Sequence, residues 1–417
     1  DLEKIPRENS NDSHPVWLGS TVYFLSDRDG PVTLYSYDTG THQVQKLVDK
    51  PAFDLKSLSA GPGGLVYEEF GSLHVYDPAS RSDQTVEVSI HGDLPQVAAH
   101  LAKVAPKEAQ SIDLSPTGAR LVVEAHGEIF TLPAEKGDAR NLTRTPGAAE
   151  RDAAWSPDGK RIAYFSDASG EYQLMVRDQD GIQPPKVIDL GPDPSFFYGP
   201  HWSPDSRKIA FTDKHLRFWI ADVDSGKLVK VDTGIRGGFE GLREITWSPD
   251  SNWLAYTRDL ESQVRAIFLY SLASHTSTQL TDGMSDAVHP VFDPNGEYLY
   301  FSASTDAGPS NAGIDMSSLD RAVTDGVYVA VLSRKSASPV PPESDEEGKK
   351  PASEAAAAGA AADKPVEKAD KKSTAKDKTK ATVVDLDGLG NRILALPIPA
   401  RNYVELAGGK SGVLFLA

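Results

Sequence analysis

The sequence predicts an all-β fold of β-propeller type, built from four-stranded antiparallel blades, and three observations predict it. A short phrase recurs: WSPDG at Trp155, WSPDS at Trp202 and Trp247, and in looser form LSPTG at Leu114 and FDPNG at Phe292. With Trp17 and Leu58 as further markers, the successive gaps are 41, 56, 41, 47, 45 and 45 residues, a period in the forties. Between markers run short segments of β-branched and aromatic residues, punctuated by turn residues and lacking the 3.6-residue apolar period of stacked helices.

From the amino terminus, two blade-like units fall at residues 16–48 and 55–88. GPGG at 61–64 sits in a turn position and lacks the strand-to-helix context of a dinucleotide site, so it reads as a turn. The 56-residue gap contains RSDQTVEVSIHGDLPQVAAHLAKVAPKE, too long for a blade connection and of mixed helical character. It divides the chain into residues 1–95, a linker over 96–108 and a second domain over 109–417. Within that domain, Ser156, Pro157, Asp158 and Gly159 fit a type I turn: proline presets the second position, serine accepts a backbone hydrogen bond and glycine closes the fourth. RIAYFS, EYQLMVRD and PPKVIDL then supply three strands, as do KIAFTD, LRFWIADVDSG and KLVKVD, where Asp224, Ser225 and Gly226 form a hairpin turn. WLAYTRD, AIFLYSL and STQLTDG repeat the grammar, and GIRGGFEG at 234–241 reads as a flexible connection between blades rather than an anion cradle. In the fifth downstream repeat a loop precedes VYVAVLS, and residues 341–380 follow, rich in Lys, Ala and acidic residues, with Val366 the one large aliphatic and no aromatic. Such a stretch buries too little surface to offset its ordering entropy, and a disordered insertion is expected. TVVDLDGLGNRILALPIP is expected to resume as strand, and NYVELAGGKSGVLFLA to begin a sixth blade.

Composition excludes several functions. Sixty acidic against 43 basic residues give a net charge of −17, which argues against nucleic acid and against an anionic membrane as partners. No apolar run reaches the roughly 18 residues of a membrane span, and DLEKIPRENSNDSHP has neither the basic start nor the apolar stretch of a secretory signal, although a leader removed earlier is compatible with it. The absence of cysteine excludes disulfides and thiol catalysis and removes the thiolates of structural zinc sites. It suits cytoplasm and periplasm alike; the cytoplasm is the expectation.

Catalytic signatures are sought without result: no Gly-x-Ser-x-Gly elbow, no His-Glu-x-x-His helix and no Walker loop. Ser156, Ser203 and Ser248 occupy equivalent positions, and one active centre has no use for three equivalent nucleophiles, so they read as turn residues. Trp155, Trp202 and Trp247 read as packing side chains between blades. His14 and His289 share a repeat position that suggests an entry turn into the innermost strand, and His201 precedes Trp202. No catalytic residue, cofactor or metal ligand is assigned.

The longer runs carry more than a fold. VYFLSDRDGPVTLYSYDTG, GEIFTLPAEKGDARNLTRTPGAAERDAAWSPDGKRIAYFSDASGEYQLMVR, LYSLASHTSTQLTDGMSDAVHPVFDPNGEYLYFSAS and VVDLDGLGNRILALPIPARNY resemble, in that order, the propeller region of bacterial tricorn proteases, whose blades are PD40/WD40-like repeats. The resemblance covers nearly all of the chain outside the insertion. It implies a six-bladed propeller followed by a seven-bladed one, with residues 1–95 as the last two blades of the first and 109–417 as five blades and the start of the sixth of the second. It also implies a noncatalytic channel and size filter for oligopeptides, whose PDZ domain and serine peptidase core lie elsewhere in a chain that is expected to assemble as a homo-oligomer. Arg151, Tyr198, His201, Arg243 and His289, at the starts of inner strands, are the candidates to line the channel. The turn phrase alone also suits a TolB-like protein-binding propeller, and a prolyl-oligopeptidase-type hydrolase propeller is a third reading.

Overall fold

The structure, a computed structural model, describes residues 3–7, 9–49, 53–93, 95, 104–235, 244–305, 323–340, 380–409 and 414–416. Outside them lie Arg243, most of GIRGGFEG, the loop over 306–322 and the insertion over 341–379. The chain divides into two compact units, Asp1–Leu101 and Ala102–Ala417.

Short strands rich in β-branched and aromatic residues, joined by tight turns, pair with their sequence neighbours into seven four-stranded antiparallel sheets. Numbered as blades in chain order, blades 1 (12–46) and 2 (55–86) belong to the first unit. Blades 3 (109–141), 4 (150–188), 5 (197–233), 6 (245–279) and 7 (286–395) belong to the second, followed by a two-stranded sheet of Leu406–Gly408 and Leu414–Leu416. This is a β-propeller architecture. The helical elements among the described residues are two 3-10 turns, Pro106–Glu108 and Leu389–Arg392. None is long and apolar enough to cross a membrane.

The five larger apolar cores are each made by two consecutive blades, as expected when a sheet covers one face with its successor, while Phe24, Tyr35 and Tyr37 form a smaller cluster within blade 1. In the first unit, Leu25 and Leu34 of blade 1 pack with Leu55, Leu65, Tyr67 and Tyr76 of blade 2. In the second, Val122 and Ile129 meet Trp155 and Tyr164, and Phe165 and Leu174 meet Phe197, Trp202 and Phe211. Phe218 and Ile220 meet Trp247 and Tyr256, and Ile267 and Leu269 meet Phe292 and Phe301. Tyr403 and Leu406 then close over Val327.

The repeated tryptophan lies at the end of each inner strand and packs backwards. The indole N–H of Trp202 donates to the carbonyl of Ala154 in blade 4, and that of Trp247 to the carbonyl of His201 in blade 5, both at 3.1 Å. Trp155, Trp202, Trp247 and Phe292 are therefore buried, between 5% and 8% exposed. The leading blade of each unit lacks that cover: Trp17 is 66% exposed, and Leu114 and Ile112 are 62% and 64% exposed. Trp17 turns its N–H instead to Gly19 of its own turn.

In the recurring turn, the amide of Gly159 donates to the Ser156 carbonyl at 2.8 Å, as a type I turn requires. Gly159 has φ +71°, and the serines in its place, Ser206 and Ser251, hold φ +59° and +62°. Their hydroxyls tie neighbouring turns together: the amide of Asp158 donates to Ser206 Oγ at 3.1 Å, and that of Asp205 to Ser251 Oγ at 3.0 Å. Those contacts between blades offset the backbone strain that a side chain meets there.

GPGG is a strand connection, as expected, and its last glycine is obligatory. Gly64 has φ +152°, and a Cβ there would sit 2.6 Å from the carbonyl oxygen of Tyr76. Gly64→Ala is expected to destabilise blade 2 by about 3 kcal/mol through backbone strain and overlap. Hydrogen exchange on the whole chain checks this: amides of 55–86 should exchange faster while those of blades 3–7 keep their protection.

Three sequence expectations need correction. TVVDLDGLGNRILALPIP forms only the short strand Ile393–Ala395, because Gly388 in the left-handed region (φ +67°) starts a 3-10 turn; Val384 packs against the core before it. Leu58 does not align with the other markers, since the inner-strand irregularity at Ser57 puts Ala60 in the position of Trp17. His14 and His289 lie inside their inner strands, Asp12–Leu18 and Asp286–Phe292, and not in an entry turn.

Candidate functional site

The serines of the repeated phrase are committed to the fold. Ser156, Ser203 and Ser248 are fully buried, and their hydroxyls donate to Asp158, Asp205 and Asp250 at 2.6, 2.5 and 2.6 Å. The same oxygens accept the amides of Arg161, Lys208 and Trp253, each at 2.9 Å. A hydroxyl with no exposure, its proton held by the turn aspartate and its oxygen by a backbone amide, is not placed to attack a substrate.

The inner strands share a device that single-residue reading misses. Register shifts fall between Ser13 and Val16, Lys56 and Ser59, Arg151 and Ala154, Tyr198 and His201, and Val288 and Val291. Each marks a β-bulge with one residue at positive φ: His14, Ser57, Asp152, Gly199 and His289, between +50° and +58°. At three of them, in blades 4, 5 and 7, the bulge residue's amide donates to a carboxylate of the preceding repeat. Glu124 accepts from Asp152 at 2.9 Å, Asp152 from Gly199 at 3.3 Å and Glu244 from His289 at 2.9 Å. Asp152, Gly199, Glu244 and His289 each stand three residues before the aromatic marker, and aligning the repeats on that position is the signal that would have revealed them.

The candidate lining residues fall into two groups beside these bulges. Arg151, in Glu150–Trp155, lies over three rings, with its guanidinium carbon 5.6 Å from Tyr172, 5.1 Å from Phe196 and 5.7 Å from Tyr198. Tyr198, from Phe197–Trp202, thus joins Arg151, and two loop residues not foreseen from the sequence complete the group. The bulge at Gly199 brings His201 under it, since a Cβ at Gly199 would lie 3.4 Å from His201 Nε2. Burial pushes the His201 imidazole below the ordinary histidine value, with the Asp152 carboxylate opposing the shift, so the ring is held neutral near pH 7.

His289 belongs to the second group. Its Nδ1 is 3.0 Å from Ser302 Oγ and its Nε2 3.4 Å from Glu244 Oε1. Arg265 pairs with Asp286 at 2.6 Å and approaches Glu244 at 4.0 Å. Burial raises the Asp325 carboxyl, with Asp286 adding to the shift and His289 and Arg265 opposing it. Arg243 lies outside the described residues. Among the described residues no cluster of three or more His, Asp or Glu is placed to hold a metal ion. A cavity of about 500 Å³ opens between blades 6 and 7, lined among others by Leu280, Asp282, Phe301, Tyr328, Asn391 and Ile393, and none of the inner-strand candidates lines it.

Residues 109–417 match the family described as the tricorn protease second beta propeller domain, and residues 1–82 match the tricorn protease N-terminal beta propeller domain. The chain belongs to the tricorn protease family. A tricorn protease homolog of Saccharolobus solfataricus is 24% identical over 416 residues, covering 100% of this chain and 34% of the relative. Tricorn protease homolog 1 of Streptomyces coelicolor is 23% identical over 426 residues, covering 98% and 37%. The chain therefore spans about a third of the length of these tricorn relatives. The crystal structure of the tricorn protease superposes with a TM-score of 0.51 at 16% identity over 97% of this chain and 36% of that one, which shows the fold. The tricorn propeller region is thus the part of the family present in these 417 residues.

Proposed function

We propose that this chain is the noncatalytic channel and size filter of a tricorn-type serine protease that degrades oligopeptides. The observation that carries the reading is the bare leading face of blade 3, where Ile112 and Leu114 are exposed at positions whose equivalents, Ala153 and Trp155, are 6% and 5% exposed in blade 4. An apolar blade face of this kind calls for another blade, supplied by further parts of a longer chain. Blades 1 and 2 are then the closing pair of a six-bladed ring. Blades 3–7 and the strands from Leu406 are five blades and the beginning of the sixth in a seven-bladed one. Closed rings leave an axial tunnel lined by inner strands, wide enough for an extended peptide and too narrow for a folded domain. Short peptides pass to a peptidase core that lies, with a PDZ domain, elsewhere in the chain, and the whole works as a homo-oligomer in the cytoplasm.

Hydrolysis assays test this. The 417-residue chain alone is expected to cleave no fluorogenic peptide, whereas the longer gene product cleaves short peptides, is blocked by a serine-directed inhibitor and spares a folded domain carrying the same sequence in a loop. Inhibitor-sensitive turnover by the 417 residues alone would contradict the noncatalytic assignment. Equal rates on peptide and folded domain would contradict the filter.

A further inference from the structure

We infer that Arg151, stacked among Tyr172, Phe196 and Tyr198, is a receptor for a carboxylate carried by a peptide. The protein's other ring-stacked arginines show what such a group binds. Arg28 lies on Phe24 and Tyr35 and holds Asp12 at 3.0 Å. Arg217 lies on Trp219 and holds Asp213 at 2.6 Å and Asp193 at 3.0 Å. Arg258 lies on Phe268 and holds Asp232 at 2.9 Å. Arg161, on Trp202, donates to the carbonyl of Ser206 at 2.5 Å.

Arg151 is the exception. Among the described residues its side chain makes no hydrogen bond, and its nearest carboxylate, Asp152, stands at 3.8 Å, beyond hydrogen-bonding range. That carboxylate is already engaged by the amide of Gly199. The guanidinium is nonetheless confined: three rings from an inner strand and two loops stand within 5.1–5.7 Å of its carbon, and its side chain is 24% exposed. A planar fork of donors, confined by rings and partly open to solvent, matches the two oxygens of a carboxylate and loses less freedom on binding than an unconfined side chain. In a chain of net charge −17 an anion meets a repulsive mean field, so selectivity for it must come from this local geometry. The carboxylate is either a peptide's C-terminus or an Asp or Glu side chain. The inference rests on the channel reading only for the peptide nature of the ligand.

Titration of the 417-residue chain with three peptides tests it: N-acetyl-tetraalanine as the free acid, the same peptide as its amide, and an amidated peptide with one Ala replaced by Glu. Wild type is expected to bind one or both carboxylate-bearing peptides at least about tenfold tighter than the plain amide, and the two arms identify the source of the group. Arg151→Met, which keeps the stack, should erase the preference with an unchanged circular dichroism spectrum and melting temperature. Arg151→Lys, which keeps the charge without the fork, should lose most of it. The Nε–H resonance of Arg151 in unmodified protein should shift with the preferred peptide and not with the amide, a readout independent of whether a variant folds. Equal affinity for all three peptides, binding of none up to millimolar concentration, or a preference that survives Arg151→Met would overturn the carboxylate site. None of these outcomes touches the channel reading, which falls instead if the longer gene product cleaves folded domains as fast as peptides.

Discussion

Trp202→Ala is expected to destabilise the second unit by about 3–5 kcal/mol, the usual range for truncating a buried tryptophan. Its ring is 8% exposed between Phe165 and Leu174 of blade 4 and Phe211 of its own blade, and its indole N–H satisfies the carbonyl of Ala154. Removal leaves a cavity at a blade interface and takes a hydrogen bond from the carbonyl of the half-buried Ala154. Urea denaturation should show a lower midpoint with the slope retained, because the surface exposed on unfolding is unchanged. Trp17→Ala, the same substitution at the equivalent position of blade 1, is expected to cost no more than about 0.5 kcal/mol, because that ring is 66% exposed and bonds only to its own turn. A similar loss from both would mean that the tryptophans serve their own blades and not the joints between them.

The second large effect is expected at Asp213, which organises one end of blade 5 from a buried position. Its carboxylate accepts the amides of His215 at 2.9 Å and Arg217 at 3.0 Å, Arg217 Nε at 2.6 Å and Trp219 Nε1 at 3.0 Å. Asp213→Ala strands all four donors and leaves Arg217 with only the exposed Asp193 as counter-charge. A loss of about 3–5 kcal/mol follows from breaking a buried, hydrogen-bonded ion pair. Asp213→Asn keeps one amide acceptor and the shape, and should lose less. Calorimetry should find the alanine variant's second-unit transition lowered by on the order of ten degrees and the asparagine variant's between that and wild type. If both substitutions leave the transition in place, the cluster is not a stability element.

What the sequence made legible follows from how local each feature is. The turn after Trp155, Trp202 and Trp247 is written in four consecutive residues, so the turn role of Ser156, Ser203 and Ser248 was readable directly, whereas their full burial comes from the packing of neighbouring blades. The seven-sheet order followed from the period and from short connections between antiparallel neighbours. The inner-strand bulges were only partly readable: His14 and His289 share a side chain and a repeat position, but Ser57, Asp152 and Gly199 have different side chains there, and what all five share is a positive φ. The company of Arg151 was hidden for another reason. Tyr172 and Phe196 come from loops 21 and 45 residues away in sequence, and only the stacking of blades 4 and 5 brings them over one guanidinium. Leu58 misled because it is a large apolar residue shortly before a turn, whereas the strand register gives the marker position to the small Ala60.

The claim on which the rest depends is that these sheets are arcs of closed rings, with the bare face of blade 3 an internal joint in the complete protein. Leu114→Ala, measured by urea denaturation in both the 417-residue chain and the longer gene product, tests it most directly. The account predicts a cost within about 0.5 kcal/mol in the short chain, where Leu114 is 62% exposed, and about 2–4 kcal/mol in the longer one, where a closing blade buries it. The same small cost in both would contradict ring closure, and the channel with it.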